Sequence, residues 1–174
     1  MSDASDMGEK PNSISFVPIT AEQTWPLRGK VLRPHHPLLD SHFPNDLVPL
    51  AGHFGAIESG TEKIVGVATI YPERLPHLPQ AKLYVQSLRA DLSGESAVWR
   101  LRGMATEADL RSQGFGGGLL QACIAHVRKN GGKIIWANAR TPALRFYERY
   151  GFKALGEEYD MPGIGPHYLI CLIL

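Results

Sequence analysis

One stretch of this sequence combines residue types and spacing that could bind an anion. It runs from Arg111 through four glycines into an amphipathic helix, whose apolar residues recur at helical spacing at Leu119, Leu120, Cys123, Ile124 and Val127. A helix start leaves backbone N–H groups unpaired and partly positive, and glycine lets another molecule approach that backbone closely. We therefore predict a phosphate site at this turn. The alternative is that the glycines only allow the helix to pack closely on a sheet.

Two common phosphate motifs do not fit this turn. A Walker loop requires Gly-Lys-Ser/Thr, and no lysine follows these glycines. A dinucleotide fingerprint beginning at Gly114 would place its third glycine on Leu119. The order Arg111-x-x-Gly114-x-Gly116 instead matches the Q/R-x-x-G-x-G/A pyrophosphate motif, and on this motif the chain resembles the GCN5-related N-acetyltransferase (GNAT) superfamily.

The bulk composition is that of an ordinary globular protein. The chain has 174 residues, of which 44% are hydrophobic and 20% charged, enough for one domain with a substantial core. Its net charge of +1 gives no electrostatic case for nucleic acid as a partner. The sequence has no apolar run of bilayer length and no signal-peptide pattern, so we expect a cytoplasmic protein without a membrane partner. Cys123 and Cys171 lie in apolar patterns and are expected to be reduced core residues.

The hydrophobic pattern predicts a loose tail over residues 1–12 and a single domain over residues 13–174. Strands are predicted over residues 14–18, 53–58, 63–71, 97–106, 133–137, 152–155 and 167–174. Residues 75–93 follow no clear pattern, residues 156–166 are expected to form a loop, and the His- and Asp-rich residues 33–49 a polar loop rather than a metal site.

Capping residues predict where the helices begin and end. Thr20 and Gln23 form a capping box for a first helix that runs towards Leu32, with Pro26 expected to kink it or to shift its start. Gly131 should end the helix that follows the glycine turn. Thr141 as N-cap and Pro142 at the first helical position should open a last helix, which Gly151 ends.

The strand before the glycine turn, the helix after it and the strand over residues 133–137 form a βαβ unit, which requires parallel pairing. The predicted order β-α-β-β-β-α-β-α-β-β is similar to that of the GNAT superfamily. The resemblance implies an α/β (α+β) acyl-CoA N-acyltransferase fold. In that fold a mixed, mostly antiparallel central sheet carries flanking helices, and a parallel pair splays apart at the acetyl-CoA site.

A second family signature, an alanine four residues before a tyrosine and then Gly-Phe, reads here as Ala143, Tyr147 and Gly151-Phe152. The resemblance implies that Tyr147 lies near the coenzyme A sulfur, where a phenol could protonate the leaving thiolate. Core packing is the alternative role. The resemblance further implies contacts of Met104, Ala105 and Thr106 with the pantetheine arm, of Ala143 with coenzyme A, and of the pyrophosphate with Arg111, Ser112, Gln113, Gly114, Phe115, Gly116 and Gly117. Arg140 departs from the family pattern, because many members carry asparagine at that position, and we expect it to contact coenzyme A or its phosphates instead. No metal is implied.

The function implied is transfer of an acetyl group from acetyl-CoA to a primary amine of a small molecule, amino acid or peptide, by direct attack in a ternary complex. Glu73, just past a predicted strand, is the candidate base, with a solvated loop charge as its alternative and His36, His42 and His167 as rivals. His36 and His167 are also expected to contact the acceptor. The alternatives are a non-catalytic acyl-CoA-binding sensor or partner module, and an enzyme with a longer acyl donor. A homodimer through the C-terminal strands is a further expectation.

Overall fold

The computed structural model of the protein describes residues 13–35, 41–88, 92, 94 and 96–174. The predicted tail over residues 1–12 and the candidate acceptor residue His36 lie outside the described residues. Within the described ranges, no helix is both long and apolar enough to cross a membrane.

Eight strands of the described chain form one mixed sheet in the order β1-β2-β3-β4-β5-β8-β6, with β7 also paired to β8. Only β4 and β5 pair in parallel among these strands, as the βαβ unit predicted, and the other pairs are antiparallel. The strands are β1 Ile14–Pro18, β2 Gly52–Glu58, β3 Lys63–Pro72, β4 Val98–Thr106, β5 Ile134–Arg140, β6 Lys153–Ala154, β7 Tyr159–Met161 and β8 Gly165–Ile173.

Four α-helices accompany this sheet in the described chain, namely α1 Ala21–Leu32, α2 Pro79–Leu88, α3 Phe115–Lys129 and α4 Leu144–Glu148. The predicted capping box of α1 is present, because the Gln23 amide donates to Thr20 Oγ1 at 3.4 Å and the Thr20 amide donates to Gln23 Oε1 at 2.8 Å. The cap fixes the start of α1, so Pro26 lies inside the helix and does not shift it.

The prediction that Thr141 caps the last helix was wrong. Thr141 begins a short 3₁₀ turn through Ala143, and α4 follows from Leu144. The Thr141 hydroxyl donates to Glu158 Oε2 at 2.6 Å and makes no capping bond. A tertiary partner 17 positions away therefore outcompetes the local cap.

Two further elements were absent from the predicted order. Helix α2 lies in the Pro-rich stretch left unassigned, and β7 lies in the predicted loop over residues 156–166. The last strand also begins earlier, at Gly165, because its first residues pair with β7. A strand of only three residues is too short for its alternation to stand out as a sequence pattern.

Helices α3 and α1 lie on opposite faces of the sheet. Consecutive residues of a strand point to opposite faces, and Ala68 packs in the cluster of α3 whereas Val67 packs in the cluster of α1. The buried face of α3 is the predicted one and consists of Leu119, Leu120, Cys123, Ile124 and Val127. The sheet is therefore covered on both sides near the centre of β3 and β4.

A buried ion pair ties α1 to the loop that follows it. The Arg28 guanidinium, 1% exposed, donates to both Asp46 carboxylate oxygens, at 2.8 and 3.1 Å, and to Thr69 Oγ1 and the Ser41 carbonyl. His53 joins the network through Thr69 Oγ1 and the Asp46 carbonyl, each at 2.8 Å. Burial alone would raise the pKa of Asp46, but bonds from Arg28 and the Phe43 amide lower it overall.

We expect Arg28→Met to lower the free energy of unfolding by about 3–5 kcal/mol, because the change leaves the buried Asp46 carboxylate without its partner. Urea denaturation would measure the loss. Arg128→Met, at an exposed position of α3, is the matched control and should change stability by less than about 0.5 kcal/mol. A loss below about 1 kcal/mol for Arg28→Met would show that the pair does not hold this loop in place.

Candidate active site

A gap opens in the sheet where β4 and β5 separate. The two strands pair only at Val98–Ile134, Trp99–Ile135 and Arg100–Trp136. Beyond these positions β4 continues along β3 to Thr106, and β5 continues along β8 to Arg140. Within the described chain, the edge of β4 that faces β5 therefore has no ladder partner after Arg100, which leaves backbone groups free to pair with a ligand. This is the splayed pair that the resemblance implied.

A β-bulge shapes the same edge. Val67 and Thr69 of β3 oppose Ala105 and Arg102 of β4, so that β4 carries one extra residue between them. Gly103 lies there with φ +65°, and a Cβ on it would be 2.6 Å from the Arg28 Nε atom. Only glycine fits this conformation and this space. The bulge thus fixes how Met104 is directed towards the gap.

The gap continues into a cleft of about 210 Å³ that several predicted site residues share. Met104, Arg140, Ala143, Tyr147 and His167 all line it. The other predicted contacts do not line the cleft itself. Ala105 and Thr106 are paired with β3, and the glycine turn lies beyond the end of β4. The remaining lining residues are Leu32, Arg33, Phe43, Arg100, Leu101, Arg102, Gly103, Ala137, Asn138, Ala139, Met161 and Ile164.

Tyr147 presents a protonated phenol to this cleft. It is buried near the end of the short α4, packs against Phe146 and Phe152, and its hydroxyl donates to Met104 Sδ at 3.6 Å. Burial, with a smaller contribution from the Cys123 thiol, raises the pKa of Tyr147 above its ordinary value near 10. The phenol therefore keeps its proton at neutral pH and can act as a hydrogen-bond donor or an acid.

The glycine turn leaves several backbone N–H groups unpaired. Gly114 adopts φ +90°, and the first intrahelical bond of α3 runs from the Gly118 amide to the Gly114 carbonyl at 3.2 Å. The amides of Phe115, Gly116 and Gly117 thus have no intrahelical partner, and no side chain of the described chain caps them. No acidic residue lies in the first turn. The arrangement suits an anion.

The packing interpretation holds for two of the four glycines. A Cβ on Gly117 would lie 2.0 Å from the Tyr150 hydroxyl, and one on Gly118 would lie 2.0 Å from the Phe16 ring. A Cβ on Gly114 would contact nothing within 4 Å, so that position is glycine for its backbone conformation. The glycine cluster therefore serves both helix packing and the shape of the turn.

His167 and Arg140 close the cleft at the β5–β8 side. His167 is 4% exposed, and its Nδ1 lies 2.7 Å from the Gly165 carbonyl. A carbonyl only accepts, so Nδ1 carries the proton and Nε2 of the neutral ring is an acceptor without a partner in the described chain. Arg140 donates to the Leu32 carbonyl at 3.0 Å, which links the end of β5 to the end of α1 rather than to the glycine turn.

Glu73 lies next to the cleft but does not line it. Its carboxylate accepts from the Arg100 guanidinium at 3.0 Å and from the Asn45 side-chain amide at 3.1 Å. His42, a rival base, stacks on Trp25 with ring centroids 3.6 Å apart and also lies outside the cleft lining. Of the candidate bases that the structure describes, His167 is the one in the cleft.

Sequence reasoning did not single out the other twelve residues that line the cleft, and among them are Arg33, Phe43, Arg100 and Arg102. The alternating pattern of β4 places Arg100 and Arg102 on the face opposite the buried residues. The structure confirms that Trp99, Leu101, Gly103 and Ala105 are buried. The convergence of the two arginines on a cleft depends on the gap between β4 and β5, which local sequence does not encode. Within the described ranges, no group of three or more His, Cys, Asp or Glu side chains is placed to hold a metal ion.

Comparison with known proteins identifies the family. The model described as the acetyltransferase (GNAT) family matches residues 19–152. The chain belongs to the GNAT family. It is similar to the uncharacterized N-acetyltransferase YitI of Bacillus subtilis (strain 168), with 31% identity over 152 residues, which cover 87% of this chain and 91% of that protein.

Solved GNAT structures share the fold. Arabidopsis thaliana NAA60 in complex with acetyl-CoA matches with a TM-score of 0.69 at 16% identity, over 93% of this chain and 99% of that one. A GNAT family acetyltransferase from Elizabethkingia anophelis with acetyl-CoA bound matches with a TM-score of 0.61 at 18% identity, over 95% and 100%. The family and the mixed sheet with its splayed pair are thereby confirmed, and the chain is a GNAT N-acetyltransferase.

Proposed function

We propose that this GNAT enzyme transfers an acetyl group from acetyl-CoA to a primary amine in a ternary complex. The observation that carries the proposal is the unpaired edge of β4 with Tyr147 beside it, on a strand that the chain continues, past residue 106, into the free amides of the glycine turn. The edge suits the amide groups of a pantetheine arm, and the turn suits a pyrophosphate. NAA60 and the Elizabethkingia enzyme, two relatives in fold, hold acetyl-CoA.

The reaction requires one acid and one base. A base removes a proton from the acceptor ammonium, and the freed nitrogen then forms a bond to the thioester carbonyl carbon. As the C–S bond breaks, the sulfur takes the electron pair, and Tyr147 donates a proton to the thiolate. The nitrogen gives up two protons in all. One goes to solvent by way of the base, and the other balances the proton that Tyr147 donates.

We assign the base to His167 in preference to Glu73. The Nε2 atom of His167 is an unpaired acceptor on a side chain that lines the cleft. Both carboxylate oxygens of Glu73 already accept from the Arg100 guanidinium, at 3.0 and 3.3 Å. Taking up a proton would weaken that ion pair. The role of Glu73 as the base remains a prediction, and the kinetic comparison below tests Glu73 and His167 together.

Two observations bear on the alternative functions. A longer acyl donor would need more apolar space beyond Met104 than an acetyl group, whereas the cleft has a volume of only about 210 Å³ and its lining includes Arg100 and Arg102 beside its apolar residues. A non-catalytic sensor would not need a buried, protonated phenol at the gap, and Tyr147 provides one. Both observations favour an acetyltransferase.

Gly114→Ala should weaken coenzyme A binding about tenfold or more, because the αL conformation that presents the amides costs an L-residue about 1–2 kcal/mol and the turn relaxes away from it. Gly60→Ala is the matched control, since Gly60 has φ +87° and an equally open surrounding in the β2–β3 turn. Calorimetry should show unchanged affinity for the control despite a similar loss of stability. If both variants bind coenzyme A with equal affinity, the glycine turn is not part of the binding site.

Tyr147→Phe should lower kcat by about a hundredfold or more, because the thiolate then leaves without a proton donor. Tyr168→Phe, in the same core cluster, should stay within about twofold. Deprotonation of the phenol would remove the proton donor and so lower the activity. Because the pKa of Tyr147 is raised, we expect this loss of activity only above pH 10. Thiol release by the wild type, measured from pH 7 to 10, should therefore show no falling limb. A fall centred below pH 10 would contradict the assignment.

His167→Gln should lower kcat by about a hundredfold, because it removes the base from the cleft, and acetyl-CoA affinity should be unchanged. Glu73→Gln should lower kcat by less than about tenfold, through a less firmly held Arg100. Single-turnover thiol release under saturating acetyl-CoA would compare the two. If Glu73→Gln loses more than His167→Gln, the base is Glu73.

A further inference from the structure

The acceptor side of the cleft carries uncompensated positive charge. Arg33, Arg100, Arg102 and Arg140 all line it, and no described lining residue is Asp or Glu. Arg100 is neutralised by Glu73 at 3.0 Å. Arg33 and Arg102 have no carboxylate partner among the described residues. Formal charges of one sign that converge on a cleft without a counter-charge attract a ligand of the opposite sign.

Arg102 is held in place as an anion-binding group would be. Its guanidinium lies 3.9 Å from the centroid of the Phe43 ring, and the buried Arg28 lies 4.2 Å from the same ring. Phe43 is itself fixed, because its amide donates to Asp46 Oδ2 at 3.0 Å. Stacking orients the planar fork of an arginine without using its N–H donors. The guanidinium also lies close to the buried Tyr71 hydroxyl, and its remaining N–H donors are available for a bidentate contact with a carboxylate or phosphate.

The pyrophosphate of coenzyme A does not explain this charge. Arg102 precedes the bulge, and because Arg102 and Thr106 oppose Thr69 and Gly66 of β3, the strand advances about 10 Å between them before the glycine turn begins. The pantetheine arm that would lie between the two ends is neutral. The arginines at the cleft thus require a different anionic group from the one that the turn would bind.

We propose that the acceptor is a small amine that carries an anionic group of its own, a carboxylate or a phosphate, bound by Arg102 with Arg33 alongside. The proposal rests on the acetyltransferase function above and names its substrate class. The cleft of about 210 Å³ is smaller than the roughly 300–1,000 Å³ of pockets that enclose drug-sized ligands, which favours a compact acceptor such as a free amino acid. Anchoring of the anionic group leaves the amine free to reach His167 and Tyr147.

Matched acceptor pairs test the proposal with the full-length enzyme. Glycine, L-alanine, L-methionine and L-glutamate are each compared with their α-amides, and O-phosphoethanolamine is compared with ethanolamine, by thiol release at saturating acetyl-CoA. The anionic member of one pair type should have a kcat/KM about tenfold to a hundredfold higher, the range that a charged hydrogen bond provides. The pair type that shows the preference distinguishes carboxylate from phosphate.

Arg102→Gln should reduce that preference to within about threefold by raising KM for the anionic acceptor, with little change for the neutral one. Arg102→Lys, which keeps the charge and loses the fork, should retain part of it. Arg128→Gln, on the exposed face of α3, is the control and should leave the preference unchanged. Thermal unfolding would confirm that each variant is folded. Equal use of the anionic and the neutral member of every pair by the wild type, or an equal loss for both members in Arg102→Gln, would overturn the proposal.

Calorimetry of the acetylated products separates this proposal from the function on which it rests. If acetyl-CoA fails to bind, the proposed donor is wrong whatever the acceptor. If no amine releases thiol, binding of N-acetyl amino acids or N-acetyl-O-phosphoethanolamine is compared with binding of their neutral counterparts. Preferential binding of the acid, lost in Arg102→Gln, supports the anionic subsite without turnover. Equal or absent binding of both forms overturns it.

Discussion

The divergence of β4 from β5 is the constraint on which the site depends. Each strand has a full partner on its other side, β3 for β4 and β8 for β5, so the sheet holds both strands apart after three paired positions. Backbone donors and acceptors along the inner edge of β4 then need another partner, which water or a ligand with its own amides can supply. The cleft and the access of Tyr147 to it both follow from this gap.

The acceptor side of the gap is built on a buried polar network. Arg28 is expensive to bury, and burial lowers its pKa, but the paired Asp46 and the Thr69 hydroxyl offset part of that cost. The same Asp46 carboxylate accepts from the Phe43 amide and thereby sets the ring on which Arg102 stacks. Gly103 leaves the space that Arg28 occupies. Fold stability and cleft shape thus depend on the same few contacts.

The sequence was informative where local physics decides the outcome. The capping box of Thr20 and Gln23, the glycine-initiated helix and the parallel βαβ pair were all predictable, because each depends on neighbours within a few residues or on a topological rule. The capping role of Thr141 was predicted wrongly because its hydroxyl donates instead to Glu158, which is distant in the sequence. In the sequence, Arg102 was visible only as one of the residues that alternate with the buried positions of β4. The proposed role of Arg102 depends on its stacking against Phe43, which lies in the loop between α1 and β2.

The two ends of the cleft meet different electrostatic demands. At the glycine turn, backbone dipoles can bind a pyrophosphate without placing a formal charge beside the reacting carbonyl. At the centre, Tyr147 has a thioether as its hydrogen-bond acceptor, at 3.6 Å. A thioether sulfur is a weak hydrogen-bond acceptor, so the phenol gives up little interaction energy when it donates to a thiolate instead. The arginines at the far end act on the acceptor, and burial of Tyr147 among apolar side chains keeps its proton in place beside them.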